Sequence, residues 1–275
     1  RLERMDADIR KGAFKVNRLT DLAAILDASK RIDGPHVLLG MGALGAVTRI
    51  RSDVLGNEFS FGYVGEPTAP GQFSVDDMVS WKDGCIVLGI LGNPLGKSKS
   101  SVMQNAALKA SGIPGVYLPM ESPDLDRVED VIRGYGIRGM NVTIPYKQMI
   151  MEHLDVVDRT AERIGAVNTI VNDDGKLTGF NTDVIGIGKA LEVAGIVPDD
   201  GRVLVMGSGG AARACMQFMT ERGCDVTVAA RNAETGSALA RDFGQTYRNP
   251  TSVSMKMHDL VVNCTPVGMY SDGPY

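Results

Sequence analysis

Short apolar runs alternate with segments of helical period along the chain, and nearly every switch between them is marked by Gly, Pro, Asn or Ser. Ile86 to Leu91, Tyr117 to Met120, Met140 to Ile144, Arg202 to Met206, Asp225 to Ala229 and Leu260 to Cys264 read as buried strands. Between them the periodicity predicts a helix capped by Ser100 or Ser101, and helices over Asp124 to Gly134, Lys147 to His153, Val156 to Ile164, Val184 to Ala194 and Glu234 to Phe243. A hairpin is predicted from Asn168 to Val171 into Leu177 to Asn181, turning at Asp173-Asp174-Gly175. Upstream, residues 1 to about 82 read as three βα repeats: Ala7 to Phe14 with a helix from Thr20, Val37 to Leu39 with a helix near Gly45, and Phe59 to Val64 with a helix from Ser74. Regular alternation of this kind specifies an α/β fold with parallel strands.

Length and composition narrow the class. With 275 residues, 44% hydrophobic content and 33 glycines, the chain can fill two or three domains. The division expected is 1–83, 84–195 and 196–275, with Trp81-Lys82-Asp83-Gly84 as a linker. A formal net charge of −4 gives no reason to expect a nucleic acid or a membrane as partner, and a small-molecule substrate is expected instead. Cys85, Cys215, Cys224 and Cys264 lack Cys-x-x-Cys spacing and read as buried, reduced thiols. His36, His153 and His258 show no ligand spacing, so no metal is assigned. The absence of a long apolar run or a charged-then-apolar leader sets the expectation of a cytoplasmic protein. The sequence starts at Arg1 rather than methionine and stops at Tyr275 just after a loop, so it reads as an internal piece of a longer protein.

The chemistry concentrates at strand ends. Gly139-Met140-Asn141-Val142-Thr143-Ile144-Pro145-Tyr146-Lys147 ends an apolar strand in polar groups and, at Pro145, is expected to start a helix. Asn141, Thr143 and Lys147 would project together from the carboxyl end of that strand, where α/β sheets bind ligands. Three more polar blocks accompany it: Gly92-Asn93-Pro94-Leu95-Gly96-Lys97-Ser98-Lys99-Ser100, Gly165-Ala166-Val167-Asn168-Thr169 and Gly179-Phe180-Asn181-Thr182-Asp183. Further on, Arg202 to Met206 runs into Gly207-Ser208-Gly209-Gly210-Ala211-Ala212-Arg213-Ala214, the strand, glycine turn and helix of a dinucleotide site. At the end of the next strand stands Ala229-Ala230-Arg231-Asn232, with no carboxylate for a ribose 2′-hydroxyl and with Arg231 able to fork onto a 2′-phosphate, which favours NADP over NAD.

These blocks, in this order over about residues 86 to 269, closely resemble shikimate dehydrogenases. The resemblance implies a substrate domain followed by a Rossmann domain that binds NADP. It makes Lys147 the acid/base group and Asp183 its orienting partner, which also binds substrate hydroxyls. Ser98 and Ser100 would then hold the substrate carboxylate, Asn168 and Thr143 would contact ring hydroxyls, and Thr265-Pro266-Val267-Gly268-Met269 would lie beside the nicotinamide. Gly207, Ser208, Gly209, Gly210, Ala211, Arg231 and Thr265 become the cofactor-binding set. Lys97, Ser101, Ala230 and Asn232 depart from the family pattern.

The amino-terminal blocks Asp6-Ala7-Asp8-Ile9-Arg10-Lys11, Met41 to Arg49 and Thr68-Ala69-Pro70-Gly71-Gln72 resemble the last third of type I 3-dehydroquinate dehydratase, a (β/α)8 barrel. Lys11 matches its Schiff-base lysine, and Arg49, Thr68 and Gln72 match its substrate-binding arginine, serine and glutamine. The activity implied is NADPH-dependent reduction of 3-dehydroshikimate to shikimate, in a parent protein that also makes 3-dehydroshikimate by dehydration. A catabolic quinate/shikimate dehydrogenase and a non-catalytic NADP-binding module are the alternatives.

Overall fold

A computed structural model of the chain describes residues 6–81, 84–96 and 98–268. The chain divides into two compact units: residues 1–146, 152–156 and 170–178 form the first, and residues 147–151, 157–169 and 179–275 the second.

In the first unit, β1 (Arg10–Lys15) crosses through α1 (Leu19–Ser29) to its parallel neighbour β2 (His36–Met41). The buried stripe Leu19, Leu22, Ala23, Ile25 and Leu26 holds α1 in place. Two short helices follow, α2 (Val47–Ile50) and α3 (Val75–Ser80), the latter capped by Ser74, whose Oγ accepts from Asp77 N at 3.1 Å. The third strand expected at Phe59 to Val64 does not form; only single bridges join His36 to Asn57 and Tyr63 to Ser74. Phe59 is 46% and Val64 89% exposed, so this run has no layer to bury it and no ladder to complete.

The larger sheet opens with β3 (Ile86–Gly92), α4 (Ser100–Ala110), β4 (Gly115–Glu121), α5 (Val128–Gly134) and β5 (Gly139–Val142). Both β4 and β5 pair with β3 in parallel, Tyr117 opposite Leu88 and Asn141 opposite Ile90. Ser100 is the first residue of α4 and not its side-chain cap. The helix expected from Asp124 starts only at Val128, because Arg127 sits in the left-handed region at φ 64°. β6 (Val156–Val157), α6 (Arg159–Ile164), β7 (Thr169–Asp173) and β8 (Lys176–Phe180) follow, giving a six-stranded sheet of order β4-β3-β5-β7-β8-β6. The β7–β8 turn has positive φ at both Asp174 and Gly175, the twist that closes a two-residue hairpin. Val156 is therefore in a strand, where a helix was expected.

The helix expected at Lys147 is also absent. The Lys147 carbonyl accepts from Val167 N at 2.7 Å, so it is not available to a residue one turn ahead, and the chain stays in turns until a single 3₁₀ turn at Met149–His153.

In the second unit, α7 (Asp183–Val193) leads to β9 (Arg202–Met206), α8 (Gly210–Thr220), β10 (Asp225–Ala229), α9 (Ala233–Asp242), β11 (Thr246–Arg248) and β12 (Leu260–Asn263). All four strands run parallel in the order β11-β10-β9-β12. Val203, Val205, Cys215, Met216, Met219, Val226 and Val228 form its core. The chain goes one way from β9 to β10 and the other way to β12, so the carboxyl end of β9 is a topological switch point, where such sheets bind ligands.

Candidate active site and dinucleotide turn

Lys147, Asp183 and Asn168 come together in the second unit. Lys147 Nζ lies 2.5 Å from Asp183 Oδ2, with the lysine side chain 15% exposed. The other carboxylate oxygen, Oδ1, accepts from Asn168 Nδ2 at 2.7 Å. The Asn168 amide cannot turn over, because its Oδ1 already accepts from Thr182 N at 2.9 Å and Thr169 Oγ1 at 2.9 Å. Asn181 completes the support: its Nδ2 donates to Ala166 O at 2.9 Å and its Oδ1 accepts from Asp183 N at 3.0 Å. The result is an ammonium held on a carboxylate whose direction is fixed by two buried asparagines. Sequence reading missed Asn181 and Thr182 as supports, although a polar Asn-Thr pair just before a helix start carries the signal of side chains serving backbone N–H groups.

The dinucleotide turn lies at the switch point. Gly207 has φ 113°, and a Cβ there would stand 2.9 Å from the Cys264 carbonyl oxygen, so only glycine fits. A Cβ on Gly209 would instead project into open space in front of α8. That helix has no side-chain cap, which leaves its first N–H groups for an anion. Ser208 Oγ bonds Thr235 Oγ1 at 2.8 Å and Ala211 is exposed on the first turn. Arg231 is exposed just beyond β10, ahead of Asn232, which caps α9. Thr265 Oγ1 donates to Asn263 Oδ1 at 2.6 Å, and its methyl lies against Gly207. The turn's residues thus fit a dinucleotide: a close-approach glycine, an uncapped helix start and an arginine at the second strand's end. Cys264, at the same place, is held below its ordinary 9.0 by a hydrogen bond from Cys215, whose own thiol is pushed up. Cys264 and Cys85 are only partly buried, whereas Cys215 and Cys224 are buried as expected, and all four are free thiols.

In the first unit, Ser98 and Ser100 face each other with hydroxyls 3.2 Å apart at the start of α4. Thr143 packs its methyl on Gly92, and its N donates to Leu91 O at 2.9 Å. Lys97 and Met269 lie outside the described residues. At the amino-terminal end, Lys11 Nζ stands 4.1 Å from the centre of the Phe61 ring. Gln72 Oε1 accepts from Thr68 N at 2.8 Å and Thr68 Oγ1 at 3.1 Å, closing its own loop. Arg49 is 4% exposed; its Nε has no partner, and burial lowers its pKa. Among the described residues no His, Cys, Asp or Glu cluster could hold a metal, and no helix is long and apolar enough to cross a membrane.

A parallel sheet with its glycine turn at the switch point, next to a lysine–carboxylate pair, defines an α/β enzyme of the dinucleotide-dependent type. Residues 90–170 match the model of the shikimate dehydrogenase substrate binding domain, and residues 1–81 match that of type I 3-dehydroquinase. The NADP(+) shikimate dehydrogenase of Methanothermobacter thermautotrophicus is 40% identical over 195 residues, 67% of this chain and 69% of that protein. A Thermus thermophilus shikimate 5-dehydrogenase solved with shikimate superposes with a TM-score of 0.61 at 37% identity, over 69% of this chain and 72% of that one. A shikimate dehydrogenase solved with NADP+ gives 0.63 at 39% identity, over 68% and 69% of the two chains. The chain belongs to the shikimate dehydrogenase family.

Proposed function

We propose that the chain reduces 3-dehydroshikimate to shikimate with NADPH, and that Lys147 and Asp183 carry the proton chemistry. The observation behind this is the carboxylate of Asp183, held at Oδ1 by Asn168 and at Oδ2 by Lys147 Nζ. Reduction of a ketone needs a proton at the carbonyl oxygen as a hydride reaches the carbonyl carbon. Lys147 Nζ delivers that proton, and Asp183 aims the ammonium and stabilises its charge. NADPH, when bound, supplies the hydride. The amides at the start of α8 and the close-approach Gly207 take the pyrophosphate, and Arg231 takes the 2′-phosphate. Ser98 and Ser100 are assigned the substrate carboxylate, and Thr143 and Asn168 its ring hydroxyls, groups that donate and accept without adding fixed charge. We assign residues 84–195 to substrate and 196–275 to cofactor.

A second reading rests on the match of residues 1–81 to type I 3-dehydroquinase. In it, residues 1–83 belong to a dehydratase whose lysine is Lys11 and whose product is the ketone reduced here. Borohydride trapping with 3-dehydroquinate, in a protein that joins this chain to the preceding strands of such a barrel, should place the adduct on Lys11. An adduct on another lysine would overturn that reading alone. For the reductase itself, NADPH consumption should be fast with 3-dehydroshikimate and slow with 3-dehydroquinate, whose ring carries one more hydroxyl. The reverse order would make the protein a quinate enzyme.

A further inference from the structure

The turn that carries Ser98 and Ser100 starts hard against the exit of β5. A Cβ on Gly92, the last residue of β3, would run into the Thr143 methyl and stand 2.8 Å from Leu95 Cδ2 and 3.1 Å from the Ile144 carbonyl oxygen. Asn93 N donates to that same carbonyl at 3.0 Å. The segment assigned the substrate carboxylate and the segment assigned a ring hydroxyl therefore meet main chain to main chain.

Tyr146 closes this junction with its side chain. The residue is 2% exposed, and its N donates to Thr143 O at 2.9 Å, which makes a tight turn after β5. Its hydroxyl donates to Ser122 O at 2.7 Å and accepts from the Asn93 side-chain amide. Ser122 is buried just beyond β4, and its Oγ accepts from Leu19 N of α1 at 3.3 Å. Beside it, a Glu121 carboxylate oxygen accepts from Leu95 N at 2.9 Å, and Leu95 O accepts from Ser98 N at 2.8 Å. One buried hydroxyl thus joins the end of β4, the exit of β5 and the first residue of the serine turn. Burial pushes that hydroxyl up, so it remains a donor through the neutral range.

We infer that Tyr146 is a positioning residue for the substrate carboxylate: its hydroxyl, bonded to both Ser122 O and the Asn93 side chain, sets where the turn from Asn93 to Ser100 begins and so where the two serine hydroxyls stand. Neutral hydroxyls hold a carboxylate only where they point at it, so a shift of the turn costs affinity for that group and spares the ring hydroxyls. Without the phenolic oxygen the Asn93 amide must find another acceptor, and the start of the turn moves with it. The inference rests on the reductase reading above and adds to it a residue that acts on substrate only through the serine turn.

The Tyr146→Phe variant removes the hydroxyl and keeps the ring. It should raise the shikimate KM about 5- to 10-fold, the loss of one buried hydrogen bond, while kcat stays within about 2-fold and the NADP KM is unchanged. In calorimetric titrations it should lose the same factor for shikimate and nothing for the analogue that bears a hydroxymethyl group in place of the carboxylate. Asn93→Ala cuts the same link from the side of the turn and should show the same split, and the double variant should be no worse than Tyr146→Phe alone. Additive effects, an unchanged shikimate KM, or equal losses for shikimate and the hydroxymethyl analogue would overturn the inference. Wild-type protein that does not bind shikimate would remove the reductase reading as well, whereas wild-type binding with an unaltered Tyr146→Phe affinity removes only the role of Tyr146.

Discussion

The stem of Lys147 fills the space in front of Gly210: a Cβ on that glycine would stand 2.8 Å from both Cβ and Cδ of the lysine. The first residue of the dinucleotide helix thus also shapes the bed of the proposed acid. Gly210→Ala should displace the lysine and lower kcat by about 10- to 100-fold, the scale of an ångström-sized misplacement. Steady-state kinetics with a parallel measurement of NADPH affinity would separate this from a cofactor effect. An unchanged kcat would mean that the lysine position is not critical.

Asp183 is held at both oxygens, so the two holds can be removed separately. Asp183→Asn loses the charge that steadies the lysine and should lower kcat/KM more than Asn168→Ala, which leaves Asp183 Oδ1 without its amide and costs about 1–3 kcal/mol of transition-state stabilisation. The opposite ranking in kcat/KM would mean that Asn168 acts chiefly through the ring hydroxyls assigned to it and little through Asp183.

Arg231 is exposed at the end of β10, where no carboxylate stands. Arg231→Ala should weaken NADPH by about 1.5–3 kcal/mol, roughly 10- to 100-fold, and leave NADH nearly unchanged. Fluorescence titration with both nucleotides checks this, and equal losses would take the phosphate away from Arg231.

Asp155 offers a test of the first unit by acid. Its carboxyl is held below the ordinary 3.8 by the Leu177 N–H and then by Arg133. A lowered folded-state value contributes stability above the unfolded value, and that stability is lost as pH falls through the folded one. Urea midpoints of wild type and Asp155→Asn should therefore differ at neutral pH and converge below pH 3.8. A constant difference across that range would assign the effect to packing.

The second unit was legible in the sequence because each of its signals is local: the Arg202 to Met206 run, the glycine turn and the small residues of α8 follow one another directly. Lys147, Asp183 and Asn168 were legible as residue types within compact blocks. Their setting was not. A proline at position 145 suggested a helix at Lys147, but the Lys147 carbonyl goes to Val167, twenty positions away, and no local rule reports that bond. Phe59 to Val64 has a strand's composition and lacks a layer to cover it. The hydrogen bond from the Tyr117 hydroxyl to Asn141 Oδ1 depends on β3 lying between β4 and β5, a matter of strand order that pattern and spacing leave open.

Proton delivery from Lys147 Nζ to the ketone, as proposed, stands or falls with the Lys147→Ala variant. Reduction of 3-dehydroshikimate, followed by the loss of NADPH absorbance, should slow roughly 10²- to 10⁴-fold, while NADPH binds the variant as it binds the wild type. Turnover equal to wild type in a variant that still binds NADPH would remove Lys147 from the proton transfer.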